Sequence, residues 1–203
     1  MTEQDTAGAR TKADLLSYLQ TGRDAVLWKL DGLGEYDARR PLTPTGTNLL
    51  GLVKHLAGVE IGYLGDTFGR PFPDPPGWFT QMDAPGADPQ ADLFTTPDET
   101  REDVVALYRR AWAHGAATVA ALDLSSVGQV PWWPPERRDV TLHRVLVHVI
   151  AETHRHAGHA DIVRESIDGA AGLRPDSSNL WVEGDGWAPY RDRVEQAARA
   201  ATD

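Results

Sequence analysis

Five of the seven histidines crowd into one stretch, His143, His148, His154, His156 and His159, with Glu152 among them. Imidazole and carboxylate bind borderline divalent ions, and the chain contains no cysteine. That excludes thiolate ligands, a cysteine nucleophile, an iron–sulfur cluster and a disulfide framework. Any metal must sit on His, Asp or Glu. Spacing narrows the choice, because only residues three or four apart on a helix bring two side chains to one ion. At about 100° per residue, with His148 as zero, Glu152 falls near about 40°, His156 near about 80° and His159 near about 20°. His143, His154 and Asp161 point to the other side. Val145, Val149 and Val163 share the His148 face, so the carboxylate is expected to point inwards, where an ionised group needs a metal or a cation beside it. Arg155 is the basic residue nearest in phase, at about −20°.

His55 offers a third ligand, between Leu52 and Val59 on an apolar stripe. With Glu152 and His156 at i and i+4 it makes a two-His, one-carboxylate set that can hold one divalent ion and leave positions open. His148 with Glu152 satisfies the same step, so spacing alone leaves a register one turn earlier open. His148 and His159 read as hydrogen-bonded packing residues or as partners that orient the ligands, with general-base work as a further role.

The elements that must position these residues read as helices. Leu15, Leu19, Val26, Leu30 and Leu33 recur at helical steps and predict a first helix over 11–33. Cap-type residues from Thr45 to Asn48 open a second over 46–68, which carries His55. Thr96-Pro97-Asp98-Glu99 has the pattern of a capping box and predicts a third over 96–123. Asp139 or Thr141 caps a fourth over 139–168, which Gly169 stops. Prolines punctuate a long connection from Gly69 to Thr95, and a second aromatic loop surrounds Trp132-Trp133. Residues 173–203 form an appendage with a short helical pattern from Pro189 to about Ala201. No strand-like alternation persists. The expectation is an all-α four-helix bundle, one domain over 1–203.

Composition limits the partners. The chain has 203 residues, 41% of them hydrophobic, and a net charge of −10. Such a charge, with no basic stripe, argues against nucleic acid. No apolar run is long enough to cross a bilayer, and the polar start Met1-Thr2-Glu3-Gln4-Asp5 does not resemble a leader, so a cytoplasmic protein is expected. Trp78, Phe79 and Met82 in the long connection, with Trp132-Trp133 in the second loop, suit either the mouth of a small-molecule pocket or a homodimer contact.

Two stretches carry a family resemblance, Gly51-Leu52-Val53-Lys54-His55-Leu56-Ala57-Gly58-Val59-Glu60 and Val147-His148-Val149-Ile150-Ala151-Glu152-Thr153-His154-Arg155-His156-Ala157-Gly158-His159-Ala160-Asp161. They resemble the two motifs of the DinB-like superfamily. The resemblance extends over nearly the whole chain and implies a four-helix bundle with one divalent ion. That ion would be held by a His of the second helix and two residues four apart on the last. Most members use His at both, whereas the branch similar to mycothiol-dependent maleylpyruvate isomerase uses Glu and His. His55, Glu152 and His156 match that branch, which settles the register in their favour. The resemblance implies zinc, with nickel as the alternative, and a low-molecular-weight thiol such as mycothiol as co-substrate. The isomerase carries a further C-terminal domain, which the roughly 30 residues after Gly172 do not match in size, so maleylpyruvate itself is not the expected substrate.

The leading expectation is therefore a metal-dependent thiol transferase or isomerase. A non-catalytic stress or regulatory protein whose ion staples two helices is the alternative. A metal-dependent hydrolase using Glu60, one turn beyond His55, as base is another, and Glu60 is otherwise a candidate outer partner of the ligands. A fourth protein ligand, from His148 or His159, would favour the structural role.

Overall fold

The computed structural model describes residues 3–178, 180–181 and 186–201. Four long helices carry the architecture: α1 (Glu3–Leu27), α3 (Leu49–Leu64), α5 (Arg101–Ala121) and α6 (Leu142–Asp168). Between them lie the short helices α2 (Glu35–Arg39) and α4 (Gly77–Thr80), and α7 (Trp187–Ala200) follows the bundle. The expected all-α four-helix bundle is what the chain forms. α3 is its centre, packed against both α5 and α6, while α1 lies along α6. The reason is apolarity on every side: Leu49, Leu50, Leu52, Val53, Leu56, Ala57, Ile61 and Leu64 are all buried.

Caps set most helix starts. Asn48 accepts the Gly51 amide, Thr100 the Asp103 amide and Thr141 the Arg144 amide. The third long helix thus begins at Arg101 rather than at the expected capping box. Thr96 and Glu99 instead close a turn, in which the Thr96 amide donates to the Glu99 carboxylate at 2.8 Å. That carboxylate is also drawn away by Lys54, whose Nζ lies 2.8 Å from Glu99 Oε1. Two strands, β1 (Val127–Gln129) and β2 (Asp139–Thr141), form an antiparallel pair that the sequence reading did not anticipate. At three residues each they are too short to show alternation, and Asp139 belongs to β2 instead of capping α6. The first long helix starts earlier than expected and ends in a 3-10 turn over Trp28–Leu30. The second gives way at Gly65 to a 3-10 turn over Asp66–Phe68.

Several charges are buried in the bundle. Arg23 on α1 donates from Nε and Nη2 to both oxygens of Glu60 on α3, at 2.6 and 2.5 Å. Lys29 pairs with Asp161 at 2.9 Å and donates to the Gly172 carbonyl at 2.6 Å. α7 buries none of its residues. No helix among the described residues is long and apolar enough to cross a membrane.

Candidate metal centre

α3 and α6 run side by side where His55 faces Glu152 and His156. Ligand atoms of these three side chains all lie within 4.8 Å of one another. His156 Nε2 is 3.0 Å from Glu152 Oε1, and His55 Nε2 is 3.8 Å from the same oxygen. His148 stays outside this group, so the register one turn earlier is not the one assembled. The three sit on the shoulder of the bundle, 22%, 30% and 13% exposed in the order His55, Glu152, His156. Helical phase suggested a deeper position. The most buried line of α6 runs instead through Val149, Thr153, Ala157 and Ala160, about 75° further round.

Each imidazole is held from behind. His55 Nδ1 lies 2.7 Å from Asp92 Oδ2, and His156 Nδ1 lies 3.3 Å from His159 Nδ1. A hydrogen bond at one ring nitrogen fixes the tautomer and leaves the lone pair of the other for a metal. Two imidazole nitrogens and a carboxylate oxygen, converging with outer partners already in place, form a donor set that fits one divalent cation. His159 therefore makes the contact with His156 that an orienting partner would make, one of the three roles its phase allowed. Asp92 escaped the sequence reading altogether, because it lies in the long connection where no periodicity marks a residue's direction.

The electrostatics suit ligation. Burial raises the Glu152 carboxyl, but the His156 imidazole, with His55 and His148 beyond it, brings it below its ordinary value. Burial lowers the His156 imidazole and the neighbouring His55 adds to it, and together they outweigh the opposing pull of Glu152. A carboxylate that stays ionised and an imidazole that stays neutral are the forms that ligate.

The connection after α3 is pinned to that helix near its far end. Asn48 Nδ2 donates to the Leu93 carbonyl at 3.0 Å, and Lys54 Nζ donates to the Phe94 carbonyl at 3.0 Å. Gly51 permits the crossing: a Cβ there would stand 1.9 Å from the Leu93 carbonyl oxygen. The nearer part of the connection folds α4 over the site. Trp78, Phe79 and Met82 then join Trp132, His55 and Glu152 around a cavity of about 520 Å³. Trp132 rests directly on α3 because residue 62 is glycine, where a Cβ would come within 2.7 Å of the indole. Tyr63 Oη accepts from the indole nitrogens of Trp132 and Trp133 at 3.3 and 3.1 Å. His148 lines the same cavity with its ring 4.6 Å from that of Tyr63. The two aromatic loops thus meet as walls of one pocket.

Glu60 is elsewhere. The expectation of a base or outer partner one turn beyond His55 fails because Glu60 is fully buried and clamped by Arg23. One turn of α3 carries it round towards α1 and α5 rather than towards α6.

The sequence profile of a family described as mycothiol-S-transferase matches residues 14–169, which run from the middle of α1 to the end of α6 and include the whole triad. The chain belongs to the mycothiol-S-transferase family. This is a DinB-like family, so the resemblance read from the His55 and Glu152–His156 stretches holds. A comparison with curated proteins finds no match. As a mycothiol-S-transferase family member the chain joins a thiol-related lineage to a His–Glu–His group, and α7 lies beyond the matched region.

Proposed function

We propose that this protein is a cytoplasmic enzyme that transfers a low-molecular-weight thiol of the mycothiol type to a small electrophile, using one divalent ion held by His55, Glu152 and His156. The observation that carries this reading is the convergence of those three donors at the wall of a largely aromatic cavity of about 520 Å³. A divalent ion in such a site supplies Lewis acidity that lowers the pKa of a thiol at an open position towards neutrality. The chain's own residues do the rest. Asp92 and His159 orient the two imidazoles, Glu152 supplies negative charge, and Trp78, Phe79 and Trp132 shield the electrophile from water. In the transfer the thiol loses its proton to solvent, and the sulfur's electron pair forms a bond to the electrophilic carbon. The leaving group departs with the pair of the bond it gives up.

Three donors rather than four among the described residues support catalysis over a structural ion, since a closed tetrahedral site would leave no position for a substrate. Hydrolysis with Glu60 as base has no support, because Arg23 occupies that carboxylate. Zinc is the metal expected at this donor set, with nickel as the alternative, since two imidazoles and a carboxylate accept several divalent ions according to availability. The test is elemental analysis of the wild type and of His156→Ala, each followed by calorimetric titration with mycothiol. One ion per chain, lost in the variant, with mycothiol binding only to the loaded form, is expected. A loaded protein that ignores mycothiol overturns the proposal.

A further inference from the structure

A second cavity adjoins the triad. It measures about 410 Å³ and is lined by Thr45, Thr47, Asn48, Gln90, His156 and His159 together with apolar groups from Leu52 and the connection. The triad is therefore shared, with His55 and Glu152 on the aromatic cavity and His156 on this one. The same short segment walls both, giving Asp92 to the first and Gln90, Leu93 and Phe94 to the second. The two linings differ in chemistry. The first is dominated by rings and offers few hydrogen bonds. The second offers hydroxyls, amides and imidazole, and none of its lining residues is Lys, Arg, Asp or Glu.

We infer that the two cavities divide the substrates: an uncharged, hydroxyl-rich thiol occupies the Thr45–Thr47–Gln90 cavity, and a flat apolar electrophile occupies the Trp78–Trp132 cavity. This assignment rests on the thiol-transfer reading above and adds which substrate goes where. Charge decides the thiol's class. A peptide thiol such as glutathione brings two carboxylates, and a cavity without a cation leaves each of them desolvated and unpaired. A sugar-borne thiol such as mycothiol brings hydroxyls and amides, which Thr, Asn and Gln side chains satisfy in kind. Size agrees, because both volumes lie in the range of ordinary ligand sites. Position agrees too, because a thiol entering by His156 and an electrophile entering by His55 bring their reacting atoms together at Glu152.

The experiment is calorimetry on the zinc-loaded full chain with mycothiol, glutathione and 2,4-dinitrotoluene, an unreactive flat nitroaromatic. The division predicts that mycothiol and dinitrotoluene bind together, each shifting the other's Kd by less than about twofold. Glutathione binds at least about tenfold more weakly than mycothiol. Trp132→Ala weakens dinitrotoluene about tenfold and leaves mycothiol affinity within about twofold. Thr47→Val combined with Gln90→Ala shows the converse. Mutual exclusion of the two ligands on the wild type overturns the division without reference to any variant, and so does a mycothiol affinity that falls with Trp132→Ala. A wild type that binds zinc and dinitrotoluene but no mycothiol overturns the thiol-transfer reading itself, a separate failure. Dinitrotoluene binding to the metal-free form of the Thr47→Val, Gln90→Ala protein shows that the aromatic cavity stands in that variant.

Discussion

His55 and His156 present the same Nε2 atom to the centre but are held by unlike partners. A carboxylate behind an imidazole makes it a more basic ligand, whereas a second neutral imidazole only orients it. Asp92→Asn should therefore weaken divalent-ion affinity about 10- to 100-fold, measured by competition with a chromophoric chelator. His159→Gln should cost less, and an Asp92→Asn variant with unchanged affinity would remove the carboxylate from the centre. The contrast also shows what a sequence conveys about a site. Glu152, His156 and His159 are legible because helical phase is a rigid rule over 27 residues. Asp92 is not, because its direction is set by the Lys54 and Asn48 bonds to neighbouring carbonyls, which only the folded chain creates.

Local grammar at the element scale was readable but ambiguous. Thr96 to Glu99 satisfies the rule for a helix start, and so does Thr100 to Asp103; tertiary pairing decided between them. Glu99 fastens the end of the connection to Lys54 of α3. Burial raises its carboxyl, yet Lys54 and the Thr96 amide more than offset that, leaving it below the ordinary 4.5. A carboxyl with a depressed folded pKa stabilises fully above its unfolded value, and the contribution fades as pH falls through the folded one. Glu99→Gln should thus lower Tm near neutral pH, with the difference shrinking as pH falls below 4.5 and vanishing only once pH is under the depressed folded value, in thermal melts followed by circular dichroism. A difference that persists in acid would mean that the variant acts through packing.

For the whole molecule, the buried pair between Arg23 and Glu60 joins α1 to α3 at the level of the core, away from the triad. Removing one partner of such a pair leaves a buried charge uncompensated, so Glu60→Gln should destabilise the protein by about 3–5 kcal/mol in urea unfolding. The same variant should keep one ion per chain, whereas Glu152→Gln should lose it with little loss of stability. If Glu60→Gln abolished metal uptake while remaining folded, the core and the site would not be separable as described. Deleting α7, which buries none of its residues, should leave both Tm and metal content where they are. The bundle itself was plain from hydrophobic spacing, but not the direction in which Glu60 points, since residues 55 and 60 differ by about 140° around α3 and so face different neighbours.

The connection between α3 and α5 is unequally fastened. Its far end is tied by Asp92, Leu93 and Phe94 to α3, while residues 83–86 and 88–90 are exposed and bonded mainly within their own turns. A broad-specificity protease should therefore nick the chain there first. Both pieces should stay associated and keep the ion, because the scission falls on the α4 side of Asp92. The nicked form would be a holoprotein with a wider mouth, in which exchange of bulky ligands quickens while the environment of the metal is preserved.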